Sequence, residues 1–127
     1  MKLRILDNSV RLRLSRGEVA QMQAEGRVRA SVSFAGGAGL DYVCIASETA
    51  SEPAATFDGT TLAVQLPAEA VARWAASEQV SISGEQQLGG DDRLTLLVEK
   101  DFACLAPREG EDQSDMFAHP AEGDGRC

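Results

Sequence analysis

Residues 9–25 read Ser9-Val10-Arg11-Leu12-Arg13-Leu14-Ser15-Arg16-Gly17-Glu18-Val19-Ala20-Gln21-Met22-Gln23-Ala24-Glu25. Their periodicity switches once. Val10, Leu12 and Leu14 alternate with Arg11 and Arg13, the two-residue period of a half-buried strand. From Ser15 the period lengthens. Ser15 and Glu18 have the spacing of a capping box, in which each side chain satisfies an orphan backbone N–H of the other residue. Val19 and Met22 then form the apolar stripe of a short helix, and Gly26 is its expected C-cap.

Strands are expected on both sides of this unit. Leu3 and Ile5 alternate with Lys2 and Arg4, and Asp7-Asn8 supplies a tight turn, so residues 2–14 read as a hairpin. After Gly26, Val28, Ala30, Val32 and Phe34 alternate with Arg27, Arg29, Ser31 and Ser33. A loop at 35–39 leads to Leu40, Tyr42 and Cys44 on a fourth strand. Residues 47–53 form a polar connector ending in Pro53, and then the order repeats. Asp58-Gly59 marks a hairpin, and Leu62, Val64 and Leu66 a strand. Pro67 is read as a first helical residue, Val71, Trp74 and Ala75 as a helical stripe, and Val80 and Ile82 as the start of a strand. Gly89-Gly90-Asp91-Asp92 is a turn, and Leu94, Leu96 and Val98 lie on the last strand.

Leu14 therefore corresponds to Leu66, Val19 to Val71, Met22 to Trp74, Val28 to Val80, Leu40 to Leu94 and Tyr42 to Leu96. The small drift in offset is assigned to the turn at 89–92. The expected fold class is α+β. Two ββαββ units, about 1–46 and 54–100, build an antiparallel sheet or a small open or closed barrel of about eight strands with two helices. Residues 1–100 are read as one domain and 101–127 as an irregular acidic tail.

The chain has 127 residues and a net charge of −8, unevenly spread. Residues 1–46 carry seven Lys/Arg and four Asp/Glu; residues 47–127 carry five and sixteen. The overall sign disfavours a nucleic-acid partner, because affinity there comes from neutralising phosphates. The N-terminus lacks the apolar run of a signal peptide, and no stretch approaches the ~20 apolar residues that span a bilayer. Three cysteines do not make a disulfide scaffold, so a cytoplasmic protein with no membrane partner is expected.

Arg4, Arg11, Arg13, Arg27 and Arg29, with Lys2, share the non-core parity of their strands. If the three strands are neighbours they form one basic face. That face has three readings: solvated surface, a dock for Glu109, Glu111, Asp112 and Asp115 of the tail, or a site for an outside protein or anionic small molecule. Cys104, His119 and Cys127 are a weak candidate metal set, since zinc sites commonly use four Cys/His ligands at characteristic spacings. No catalytic residue and no cofactor is expected. Cys44, on a core parity, reads as a small buried hydrophobe. A homo-oligomer is left open.

Two stretches, Met1-Lys2-Leu3-Arg4-Ile5 through Asn8-Ser9-Val10-Arg11-Leu12-Arg13-Leu14, and Glu99-Lys100-Asp101-Phe102-Ala103-Cys104-Leu105 with Glu111-Asp112-Gln113-Ser114-Asp115 and Phe117, resemble a family of short bacterial proteins of uncharacterised function. The resemblance covers nearly the whole chain and implies a bacterial cytosolic protein, with no activity to carry over. The duplicated arrangement is also similar to the triphosphate tunnel metalloenzymes, whose first strand carries Glu-x-Glu-x-Lys. Here that strand reads Lys2-Leu3-Arg4-Ile5-Leu6, without an acid. The function expected is a non-enzymatic binding or assembly module with a basic sheet face; the alternative is a phosphoryl-handling hydrolase of the tunnel type.

Overall fold

The structure, a computed structural model, describes residues 1–102. The first half contains β1 (Lys2–Leu6), β2 (Ser9–Leu14), α1 (Arg16–Glu25), β3 (Arg27–Ser33) and β4 (Gly39–Ser47), with a single 3₁₀ turn at Ala35–Gly37. The second contains β5 (Ala54–Phe57), β6 (Thr61–Pro67), α2 (Ala68–Ala76), β7 (Ser81–Gly89) and β8 (Asp92–Lys100). The duplicated ββαββ plan is present. Eight strands form two four-stranded sheets, ordered β1-β2-β8-β7 and β3-β4-β6-β5, and no closed barrel.

The halves are interleaved. Each contributes one hairpin to each sheet, and its helix carries the chain from one sheet to the other. The hairpins are antiparallel internally, but the central pairs that join the halves, β2–β8 and β4–β6, are parallel. A parallel pair needs a long connection between its strands, which the intervening elements supply.

Local chemistry sets the boundaries. Ser15 and Glu18 make both hydrogen bonds of the capping box, and Gly26, at φ 75°, closes α1 by donating its N–H to the Met22 carbonyl. In α2, Pro67 is the cap itself, still extended at φ −58° and ψ 133°, and not the first helical residue. Asp58 shapes the β5–β6 turn by accepting the backbone N–H groups of Thr60 (2.9 Å) and Thr61 (2.8 Å).

One apolar cluster lies between the sheets. Val10, Leu12 and Leu14 of β2 meet Leu62, Val64 and Leu66 of β6, with Leu96 and Val98 from β8 and Val28 and Cys44 from β3 and β4. Both expected helical stripes are buried: Val19 and Met22 in α1, Val71 and Trp74 in α2. Trp74 is fully buried and donates its indole N–H to the Val80 carbonyl at 2.9 Å.

The offset between halves needs correction. Ile82, not Val80, is the counterpart of Val28. Val28 pairs with buried Cys44 and Ile82 with buried Val98, while Val80 is 47% exposed. The drift arises after the helices, where residues 77–80 stand in place of Gly26 alone, and not in the turn at 89–92.

The sheets meet edge to edge at β5 and β7 through side chains. The Ala55 N–H donates to Gln86 Oε1 at 2.8 Å, and Pro53 lies against Gly84. A Cβ on Gly84 would come within 2.9 Å of Pro53 Cγ, so the strands approach this closely only with glycine there.

Two measurements check this packing. Trp74→Ala should lower unfolding free energy by about 3–5 kcal/mol in chemical denaturation. Trp74→Phe should cost about 1–3 kcal/mol, because it removes the indole hydrogen bond and part of the buried ring, while the Val80 carbonyl keeps the Lys100 N–H at 3.0 Å. Gly84→Val should destabilise by about 1–3 kcal/mol as β5 is pushed from β7; an unchanged denaturation midpoint would contradict the close approach.

Candidate functional site: an arginine-lined sheet face

The first sheet carries Lys2, Arg4, Arg11 and Arg13 on the side away from the core. Register places Lys2 opposite Arg13 and Arg4 opposite Arg11. Like charges directly across a strand pair destabilise a sheet, so counter-charge is needed. It comes from the other half of the chain. Glu99 of β8 sits beside Arg13 in the parallel pair, and its Oε1 accepts from Arg11 Nε (2.9 Å), Arg11 Nη2 (2.6 Å) and Arg13 Nε (2.7 Å). Lys2 Nζ lies 2.8 Å from Asp101. The Arg13 and Glu99 side chains are only 19% and 13% exposed, so this is a semi-buried network and not a loose surface pair. Next to it, Arg4, Arg11, Thr95 and Leu97 line a shallow cleft of about 250 Å³.

Arg27 and Arg29 are not part of this face. They lie on β3, in the other sheet, so the expectation of three neighbouring strands holds for β1 and β2 and fails for β3. Arg29 Nη2 donates to Asp41 Oδ2 at 2.6 Å, and the Ser31 hydroxyl donates to Asp41 Oδ1 at 2.6 Å. The hydrogen bonds from Ser31 and Arg29 hold the Asp41 carboxyl below its ordinary range. Period-two patterning assigns a residue to a face but not to a neighbour, so it joined β3 to the wrong sheet. Glu99 escaped sequence reasoning for the same reason; its outward parity on the last strand was its only signal.

Candidate metal residues Cys104, His119 and Cys127 lie outside the described residues, as do the tail acids Glu109, Glu111, Asp112 and Asp115. Among the described residues, no group of three or more His, Cys, Asp or Glu could hold a metal ion. Cys44 is fully buried in the core, as expected, and burial pushes its thiol up to about 12. It is a packing residue and not a nucleophile. No polar or charged residue is buried among the described residues, so the space between the sheets is an aliphatic core and not a charged tunnel. None of the described helices is long and apolar enough to cross a membrane.

A family model described as "Family of unknown function (DUF7009)" matches residues 1–121, and the chain belongs to that family. No curated protein and no solved structure matches it.

Two carboxylates besides Asp41 are held below their ordinary range. For Asp58 the causes are hydrogen bonds from the Thr60 and Thr61 backbone and the Thr60 hydroxyl. For Glu18 burial acts upward but is outweighed by the N-terminal ammonium and the Ser15 N–H. A depressed folded-state pKa means that the unfolded chain takes up protons first as acid is added. The stabilisation is therefore complete above the ordinary carboxylate range and is lost as pH falls through the folded values. The melting temperature should be flat from about pH 7 to about 5 and fall below about pH 4. Asp58→Asn should make that fall shallower in calorimetry. In the same folded protein Cys44 should resist iodoacetamide, and it should react once the chain is denatured.

Proposed function

We infer that this member of a family of unknown function is a binding module and not an enzyme, and that the outer face of β1 and β2 receives an anionic group. The observation carrying this reading is the sharing of one Glu99 oxygen by Arg11 and Arg13. Two guanidiniums gathered on one carboxylate are held in place by a semi-buried network, side by side on the sheet face. Arginine's planar fork suits carboxylate and phosphate oxygens. Arg4 and Arg11, facing each other across β1 and β2, border a cleft in which such a group would sit. Arg27 and Arg29 provide a second, smaller basic patch on the other sheet, partly balanced by Asp41.

In this reading residues 1–100 are the binding domain and residues 101–127 its acidic appendage. A reducing compartment such as the cytoplasm suits a chain whose Cys44 is a buried free thiol. The tunnel-type hydrolase gains no support from an interior lined by Leu, Val, Met and Trp.

The test is a calorimetric titration of the full chain with tripolyphosphate and with a poly-glutamate peptide, at low and high salt. Arg11→Gln should weaken binding about tenfold, the loss of one charge-assisted contact. Glu99→Gln should strengthen it, and Arg29→Gln should leave it unchanged. Binding should fade as salt shortens the screening length. Unchanged affinity in Arg11→Gln would overturn the reading. Phosphate released from tripolyphosphate with added manganese would favour the hydrolase instead. Stronger binding after Glu109, Glu111, Asp112 and Asp115 are changed to amides would identify the acidic segment as the face's own competitor.

A further inference from the structure

Among the described residues, the core is closed at one end only. The helices cross between the sheets where β2 and β6 end, and Met22 and Trp74 seal that end. All four hairpin turns lie at the other. Within each sheet the central strands run parallel and start from there, which brings the turns together: the Asn8 carbonyl accepts from Thr95 N in one sheet and the Thr60 carbonyl from Asp41 N in the other. Along the seam, Pro53 faces Gly84 and Ala55 bonds Gln86, so β5 and β7 run side by side toward the same end.

No helix covers this second end among the described residues, and apolar side chains continue past the buried core. Ile5 pairs with core residue Val10 and Phe57 with core residue Leu62, yet each is 62% exposed. Phe34 and Leu88, at the ends of β3 and β7, are 56% and 50% exposed. These are two equivalent pairs in the duplicated fold: Ile5 corresponds to Phe57, and Phe34 to Leu88. The basic residues do not recur in this way, since Arg4, Arg11 and Arg13 correspond to Thr56, Ala63 and Gln65. An exposed apolar side chain kept at both copies of a position, while the charges around it diverge, marks a surface with a use.

The charge of the turns selects the occupant. Asp7, Asp58, Asp91 and Asp92 are exposed around the apolar residues, and Arg93 is already paired with Glu85 at 3.4 Å. A second copy would bring two acidic rims together, and an anionic bilayer would be repelled. Phe102 lies at the helix end, beside Leu14 and Val19, and residues 103–127 carry six acids and two arginines, the wrong sign for this rim. We propose that the open end of the core is a docking site for a basic segment of a partner protein, whose apolar side chains seat among Ile5, Phe34, Phe57 and Leu88. Basic flanks would meet the turn aspartates, giving orientation and a fast encounter, while the apolar contacts supply affinity. The site lies on a different surface from the arginine-lined face and does not depend on it.

The experiment uses full-length protein and two synthetic probes, a dye-labelled peptide of alternating Lys and Leu and its Glu–Leu counterpart, followed by fluorescence anisotropy. In Arg11→Gln protein, whose anion-binding face is impaired, the Lys–Leu peptide should bind more tightly than the Glu–Leu peptide. Glu–Leu binding to the wild type should be lost in Arg11→Gln and unchanged in the serine and asparagine variants that follow. Phe34→Ser with Phe57→Ser should weaken Lys–Leu binding about tenfold or more. Asp58→Asn with Asp91→Asn should weaken it less and flatten its salt dependence, and Arg11→Gln should leave it unchanged. Melting curves of each variant separate lost docking from lost folding; if the double serine variant melts early, Leu88→Ser alone provides the same readout. Equal binding of the two peptides to Arg11→Gln protein, or equal binding of the Lys–Leu peptide by wild type and the Phe variants, overturns the proposal. A dimer in sedimentation that dissolves in the Phe variants would make the occupant a second copy. Vesicle binding abolished by those variants would make it a membrane. Tight binding of a synthetic 103–127 peptide, lost in the same variants, would make it the chain's own acidic segment.

Discussion

The fold depends on two parallel strand pairs, β2 with β8 and β4 with β6, each joining one half of the chain to the other. A lone two-stranded hairpin is marginal in water, since half its apolar face and one edge of each strand remain uncovered. Pairing a hairpin from one half with a hairpin from the other makes two four-stranded sheets whose apolar faces can be buried together. Leu12 lies beside Val98 and Val64 beside Cys44 at the centre of these pairs, and all four are almost fully buried. Neither half can complete a sheet alone, so the halves must fold as a unit. Their central contacts are far apart in sequence, which favours slow, cooperative folding.

The two copies differ where their core residues make different demands. Met22 has no polar atom that needs a strong partner, and α1 turns directly into β3 through Gly26. Trp74 occupies the same place with an indole N–H that must find an acceptor once it is buried. The longer connection after α2 presents the Val80 carbonyl to it, and Lys100 lies over the ring at 5.8 Å while donating to the Ser77 carbonyl. The second half thus gains two residues net, a connection three residues longer after a helix one residue shorter, and this gain accompanies the larger side chain. It also turns Val80 out to solvent and makes Ile82 the core residue of β7.

The surface divides in a way that the net charge of −8 conceals. Positive charge gathers on the outside of one sheet, where Glu99 and Asp101 from the end of β8 hold it in place. Among the described residues, negative charge gathers on the turns around an exposed extension of the core. The first surface arose in one copy only. The second follows from the architecture of both, because helices that cross at one end of a duplicated sandwich leave the other end to its hairpins.

Much of this was legible in residue order. Alternation at Val10-Leu12-Leu14 and Leu62-Val64-Leu66, the Ser15–Glu18 capping box, and the Asp7-Asn8 and Asp58-Gly59 turns are local features, determined by chemistry within a few residues. They were enough to identify strands, helices, duplication, and the burial of Met22, Trp74 and Cys44. Strand neighbours were not legible, because a two-residue period tells which face a side chain takes and is silent about the strand next to it. Tertiary pairing alone moved Arg27 and Arg29 to the other sheet and brought Glu99 across the chain to Arg11 and Arg13. It also left Ile5 and Phe57 uncovered at the end of a core that their alternation marks as continuous. A residue's sequence determines the side it faces; only the folded chain decides what stands opposite.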